Sequence, residues 1–226
     1  LAYIAPASVW AERNQGPVWV STYTRNLQRQ VDQELDKLFP DPAEKRRKSV
    51  VRKGRENYLC LLNLAESTNR AQLGGGVALG LMMRWVLATR DGDTGGDFPA
   101  WLPSLVGYEP TLGLTDRRGE CIYSACDHYQ RCFIERTQRR ARTAQLVIAN
   151  HALVMANAVR ASSAVDRPTR IVFDEGHHLF DAADSAFSSH LSGVETAELR
   201  RWIRGAEGGR NRRARGLEKR ISDLAA

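Results

Sequence analysis

Apolar residues along this chain recur in two rhythms. Short β-rich runs bounded by turn residues alternate with stretches of helical spacing. Leu1 to Trp10 reads as the end of a helix, stopped near Asn14-Gln15-Gly16-Pro17. Val18-Trp19-Val20 is a short buried strand that ends in Ser21-Thr22-Tyr23-Thr24. Leu27, Val31, Leu35 and Leu38 then form one stripe of an amphipathic helix. Pro40 to Lys48 reads as a polar connection, and Val50-Val51 as another strand. Tyr58 to Ala65 and Val77 to Ala88 are predicted helical, with a flexible acidic loop over Asp91 to Asp97. A basic helix is expected from Tyr129 to Ala144, a strand over Gln145 to Ala149, a turn at Asn150-His151 and a helix over Ala152 to Val159. Arg170 to Phe173 is the last strand; from Leu179 onward the chain reads as helical or irregular. Strands separated by helices predict an α/β fold with a parallel, doubly wound sheet. The strandless stretch from about Tyr58 to Arg142 reads as an insertion, and no internal repeat is visible.

Composition narrows the class. With 226 residues and 42% hydrophobic content, the chain is long enough to bury one or two cores of a globular protein. The longest apolar stretch, Val77 to Ala88, is cut by Arg84 and is too short to cross a bilayer. Leu1-Ala2-Tyr3-Ile4-Ala5 has no basic region of the kind that opens a signal peptide. A cytoplasmic protein without membrane partners is expected. The chain also lacks an initiator Met and opens inside an apolar run, so a native start further upstream is expected. Charge is unevenly placed. Between Arg200 and Arg220 stand nine cations against Glu207 and Glu218, which accounts for the whole formal net charge of +7. Such a tail is either a solvated face or a phosphate-neutralising arm. A second basic group, Arg131, Arg136, Arg139, Arg140 and Arg142, sits beside the cysteines.

Two constellations carry chemistry. Ile171-Val172-Phe173-Asp174-Glu175-Gly176-His177-His178 is an apolar run ending in two carboxylates, a glycine and two histidines. A buried parallel strand ends this way when its C-terminal edge holds a metal–nucleotide complex: Asp174 holds Mg²⁺ through water, and Glu175 orients or deprotonates the attacking water. The second is the four cysteines. Cys121, Cys126 and Cys132 are spaced C-x4-C-x5-C, and Cys60 stands far upstream. Without a secretory signal, disulfides are not expected. Four thiolates can ligate a [4Fe-4S] cluster, each iron taking one outer ligand. Zinc is the chemical rival, since four-cysteine zinc sites are common, although they favour tighter C-x2-C pairs.

These motifs, taken in order, resemble a known family. Asp174-Glu175-Gly176-His177 resembles the Walker B motif, or DEAH box, of superfamily 2 helicases. Together with a four-cysteine insertion it is similar to the XPD-like helicases, and the C-x4-C-x5-C spacing most resembles their bacterial DinG subgroup. Ser21-Thr22-Tyr23-Thr24-Arg25-Asn26-Leu27-Gln28 looks like motif Ia of that family. Gly54-Arg55-Glu56-Asn57-Tyr58-Leu59-Cys60 looks like the segment leading into its cluster domain, and Ala149-Asn150-His151-Ala152-Leu153 like its V-N-H-A-L segment. The P-loop pattern G-x-x-x-x-G-K-S/T does not occur between residues 1 and 226. Leu1 to Ala7 looks like the helix that follows that loop in the family.

The resemblance implies a RecA-like parallel sheet with helices on both faces, interrupted by a mostly helical four-cysteine iron–sulfur insertion. It implies a first motor-domain segment over residues 1–57, the cluster insertion over 58–142, a second motor segment over 143–190, and the start of a helical arch domain over 191–226. The implied activity is ATP-dependent unwinding of DNA from 5′ to 3′, in a DNA-repair setting. The implied cofactors are a [4Fe-4S] cluster on Cys60, Cys121, Cys126 and Cys132 and Mg²⁺, with ATP as substrate. Single-stranded or tailed duplex DNA is the expected partner of a monomeric enzyme. His177 is expected to couple nucleotide state to DNA grip, with His178 structural. Ser21, Thr22 and Thr24 are read either as phosphate contacts or as helix caps. Arg136 and Arg139 are read as DNA contacts, with Tyr58, Tyr123, Tyr129 and Phe133 as stacking or packing aromatics. Lacking a P-loop and a second motor domain, the isolated chain is expected not to turn over ATP. The alternative is a metal-stapled nucleic-acid-binding module without turnover.

Overall fold

The computed structural model describes residues 2–70, 76–116, 121–160, 168–188, 193–205, 216–218 and 221–222. The chain divides into two compact units: residues 1–54 with 136–188, and residues 55–135 with 189–226.

The first unit is built on a four-stranded, all-parallel sheet: β1 (Val18–Thr22), β2 (Ser49–Val51), β3 (Leu146–Asn150) and β4 (Ile171–Phe173), in the order β2-β3-β1-β4. Register is fixed by Val20 opposite Ile148 and Val172, and by Ser21 opposite Ala149 and Phe173. The two-residue period of a strand sends alternate side chains to opposite faces. Val18, Val20, Leu146 and Ile148 face one core together with Ile4, Ala7 and Ala11 of α1 (Ile4–Asn14) and Val31 and Leu35 of α2 (Arg25–Leu38). Trp19, Val147 and Ala149 face the other. Helices therefore cover both faces, as parallel sheets require. α2 buries Val31 and Leu35 fully, which is the predicted stripe.

Three expectations for this unit change. Residues expected as a polar connection form α3 (Pro42–Lys48), because Asp41 accepts hydrogen bonds from Ala43 N and Glu44 N while Pro42 occupies the first turn. The strand before Asp174, expected to be buried, is only half-buried, with Phe173 36% exposed; β4 pairs with β1 alone among the described strands. Asn150 and His151 form no separate turn: Asn150 ends β3 and His151 opens a helix, with Asn150 Oδ1 accepting from Leu153 N.

The second unit has no named strand among its described residues. Its helices include α4 (Leu61–Arg70), α5 (Gly76–Ala88) and α6 (Leu102–Val106), and α7 (Phe133–Thr143) leads back into the first unit. Two isolated antiparallel bridges, Tyr58 to Asp93 and Leu59 to Thr115, tie its segments together. The core packs Leu59, Met82, Trp85, Leu102, Leu114 and Phe133 among others. The segment Asp91–Asp97, expected to be flexible, is instead stitched down. Asp97 Oδ1 accepts from Trp85 Nε1 and Thr89 Oγ1, and Thr94 N donates to Asn57 O at 2.9 Å. Gly92 holds φ +66° directly under the Phe133 ring, a position that no Cβ could share.

The remaining helices are α8 (His151–Arg160), α9 (Leu179–Phe187) and α10 (Gly193–Arg204). Of the basic tail, Arg210, Arg212, Arg213, Arg215, Lys219 and Arg220 lie outside the described residues. No helix of the described residues is long and apolar enough to cross a membrane.

Candidate functional site

All four strands of a parallel sheet end on one side, and ligands of such sheets bind beyond that C-terminal edge. The loops after β1 and β4 are neighbours there, since Asp174 N donates to Ser21 O at 2.8 Å. Asp174 is half-buried, and Tyr3 sets its hydroxyl beside that carboxylate, short of a formed hydrogen bond. Burial first, and then Asp174, hold the Tyr3 phenol well above its usual range, so it stays protonated. Glu175 adopts φ 54° and ψ 48°, a left-handed conformation rare for a non-glycine residue. Its carboxylate is exposed and lies 3.5 Å from His177 Nδ1. Strain of this kind costs about 1–2 kcal/mol and gathers at functional positions.

The β1 loop divides its hydroxyls. Ser21 and Thr22 are 0% exposed and turn inward. Ser21 Oγ bonds His151 Nδ1 at 2.6 Å, and Thr22 Oγ1 donates to Thr24 O at 3.4 Å. Thr24 is exposed and caps α2, accepting from Leu27 N at 3.2 Å. Of the two readings given to these three residues, capping holds for Thr24, and the Ser21 and Thr22 side chains meet no solvent. His151 is 1% exposed; burial holds its pKa below the ordinary value, so the ring is neutral at pH 7. The backbone of Glu175 and Asp174 lies beside this ring without closing a well-aligned bond to Nε2. Tyr23 stacks on His178 at 3.7 Å between centroids.

The second unit gathers the four cysteines. Cys60, Cys121, Cys126 and Cys132 are free, half-buried, and line a single pocket. Cys60 is carried by the core, its N donating to Leu114 O at 3.0 Å. Cys126 and Cys132 sit on successive turns: Cys126 N donates to Tyr123 O, Tyr129 N to Cys126 O and Cys132 N to Tyr129 O. Tyr123 N donates to Cys121 Sγ at 3.3 Å. Burial pushes the Cys60 thiol up to about 12 and also raises Cys121. Arg55 lines the same pocket and bonds Asp116 at 2.6 Å through Nε, with the Tyr123 ring 5.2 Å away. Burial opposes the Arg55 charge, but Asp116 outweighs it, and the guanidinium stays charged. Among the described residues no three His, Cys, Asp or Glu side chains converge to hold one metal ion.

Of the expected DNA contacts on α7, Arg136 is exposed and Arg139 half-buried, and both already interact within the fold. Arg140 anchors structure, bonding Arg46 O at 2.9 Å and Ser49 O at 3.0 Å. Tyr58 and Phe133 are core residues, whereas Tyr123 is 60% exposed. The Tyr3–Asp174, Ser21–His151 and Arg55–Asp116 pairings had no signal in the sequence, because each joins distant segments.

Known proteins match most of this chain. An ATP-dependent helicase DinG of Mycobacterium tuberculosis is 32% identical over 213 residues, covering 85% of this chain and 31% of its own length. An ATP-dependent DNA helicase YoaA of Haemophilus influenzae is 30% identical over 213 residues, again 31% of its length. The chain is DinG-like. The DinG-like chain spans about a third of the length of these curated relatives. A Bacillus subtilis relative, 25% identical over 208 residues and matched over 21% of its length, carries the name 3′-5′ exonuclease DinG. No protein-family model matches the chain.

Proposed function

We propose that this chain is the nucleotide-edge and thiol-bearing portion of an ATP-dependent DNA helicase that moves 5′ to 3′ along single-stranded or tailed duplex DNA. The observation that carries the reading is the shared C-terminal edge, where Asp174 and Glu175 follow β4 one strand away from the Ser21–Thr24 loop. Asp174 holds Mg²⁺ through water, with the protonated Tyr3 hydroxyl beside its carboxylate. Mg²⁺ bound with ATP neutralises phosphate charge. Glu175 orients the attacking water and takes its proton, while His177, 3.5 Å from Glu175, relays nucleotide state. DNA phosphate meets Thr24 and the amides of its loop, with Ser21 and Thr22 shaping that loop from inside. Arg136 and Arg139 extend the backbone track. The enzyme acts as a cytoplasmic monomer in DNA repair.

The pocket that Cys60, Cys121, Cys126 and Cys132 all line supports a [4Fe-4S] cluster as the bound group. A single zinc needs four thiolates about 2.3 Å from one point. A cubane gives each cysteine its own iron, so its ligands stand apart around a shared cavity. Arg55, charged and with Nη2 unpartnered among the described residues, offers a cation to a site of four thiolates. Ligation at these cysteines braces a DNA-guiding wedge.

Residues 1–226 contain no P-loop, so the isolated chain binds DNA without turning over ATP. That feature also supports the second reading, a metal-stapled binding module. Anaerobic purification followed by metal analysis and a visible spectrum tests the cluster. About four irons per chain and a band near ~400 nm support it; one zinc without colour removes it. In a longer polypeptide pairing this chain with a P-loop and second motor domain, Glu175→Gln should abolish DNA-stimulated ATP hydrolysis while DNA binding persists. Full hydrolysis in that variant removes Glu175 from its role.

A further inference from the structure

The loop after β1 and the turn after β4 are joined by rings as well as by the Asp174–Ser21 backbone bond. Tyr23 and His178 lie face to face, 3.7 Å between centroids and 11° from parallel. The stack fills no core: Tyr23 is 46% exposed, and the His178 side chain 31%. It has support on both sides. Behind it stands buried His151, 6.4 Å from the Tyr23 ring, 5.9 Å from Phe173 and bonded to Ser21. Beside it, the His177 ring is 4.0 Å from His178, and His177 Nδ1 is 3.5 Å from Glu175 Oε2. A continuous line of contacts thus runs from the β1 loop to the water-activating carboxylate without passing through the sheet.

The two neighbours of Tyr23 are held by their hydroxyls: Thr22 Oγ1 donates to Thr24 O, and Thr24 Oγ1 caps α2. Tyr23 is therefore the side chain by which a displacement of this loop is passed on. We propose that Tyr23 and His178 are positioning residues: DNA seated on the β1 loop presses Tyr23 against His178, and the stack sets His177 and Glu175 for hydrolysis. This rests on the helicase reading above and adds to it a pair outside the Asp174–His177 motif. Such coupling requires an element that both ligands bias. Here that element is the β4 turn, held in a strained left-handed form at Glu175.

The test uses the longer polypeptide with its P-loop, and compares wild type with Tyr23→Ala, Tyr23→Phe, His178→Ala and the Tyr23→Ala/His178→Ala double variant. ATP hydrolysis is measured with and without single-stranded DNA, and DNA affinity by fluorescence anisotropy. Each alanine variant should lower the maximal DNA stimulation by at least about fivefold, a typical coupling magnitude. Basal hydrolysis and melting temperature should stay near wild type, and DNA affinity should fall by much less than stimulation does. Tyr23→Phe should restore stimulation, because the ring is kept. The double variant should be no worse than either single one, since both break one contact. Additive losses, unchanged stimulation, or loss of DNA affinity in step with stimulation would each overturn the proposal. A wild-type protein without DNA-stimulated hydrolysis fails differently: it overturns the helicase reading itself, and this inference with it.

Discussion

The Arg55–Asp116 pair yields the most quantitative prediction. Asp116 is 2% exposed, and Arg55 Nε lies 2.6 Å from its Oδ2 with 28% of the Arg55 side chain in contact with solvent. Burial already raises the Asp116 carboxyl, and Arg55 opposes that rise. Arg55→Met keeps the aliphatic stem and removes the charge. At an effective dielectric near 20 and charge centres roughly 4 Å apart, the lost attraction is about 4 kcal/mol. A second route bounds the cost. Asp116 can escape by taking a proton, and protonating a carboxyl of ordinary pKa at pH 7 costs about 4 kcal/mol. With Arg55 partly solvated, a loss of about 3 kcal/mol is expected, the lower end for breaking a buried pair. Urea denaturation at pH 7 measures it, with metal content followed in parallel. The sign with pH is distinctive. In the variant Asp116 has a raised folded pKa, so its contribution is present at pH below the unfolded value and is lost as pH rises. The penalty should therefore shrink from pH 7 toward pH 4, and Asp116→Leu added to Arg55→Met should recover most of it. A penalty under about 1 kcal/mol that stays flat over this range would refute the reasoning, because it would mean that solvent screens the pair.

Three further outcomes follow from named contacts. Gly92→Ala should cost about 2–3 kcal/mol in urea unfolding, since its Cβ would fall 2.3 Å from Phe133 Cδ2 at φ +66°. Thr24→Ala should cost about 1 kcal/mol by the same assay through loss of the α2 cap, and Thr24→Ser should keep most of it. Buried His151 has a lowered pKa, so its contribution is present above the unfolded value of about 6.5 and is lost as pH falls below it. Melting temperature should drop on acidification from pH 7.5 to 5.5, and His151→Asn should flatten that slope.

What could be read in advance was whatever is local. Val18 to Val20, flanked by Gly16-Pro17 and a hydroxyl cluster, announces a strand, and Asp174-Glu175 announces its neighbour's end. Asp41-Pro42 also carried a local signal, a cap followed by a first-turn proline, and α3 was legible from it. The acidic loop misled because its anchors lie elsewhere: Asn57, Trp85 and Thr89 reach it from segments that composition does not connect. Ser21 and His151 are separated by 130 positions, and only the register of β1 on β3 brings them together. A hydroxyl at a strand end reads as a ligand-binding group until a buried histidine is seen to occupy it.

The two candidate sites differ in what holds them. The C-terminal edge of the sheet rests on strand pairing and on buried His151, so its geometry is set once the sheet forms. The thiol pocket is held unequally. Cys60 hangs from Leu59 and Leu114, both 0% exposed, and Cys132 packs against the same core just before α7, whereas Cys121 and Cys126 ride on short turns with a single three-residue helical turn between them. Fixing a residue's backbone costs about 1–2 kcal/mol, and such turns return few buried contacts for it. Under the cluster reading, ligand bonds supply that missing order, because metal-binding free energy becomes folding free energy. The metal then braces the 121–132 turns far more than it braces the sheet. Substituting Cys126 should loosen the wedge while leaving Asp174, Glu175 and their supporting rings in register, so unwinding should fail before nucleotide chemistry does.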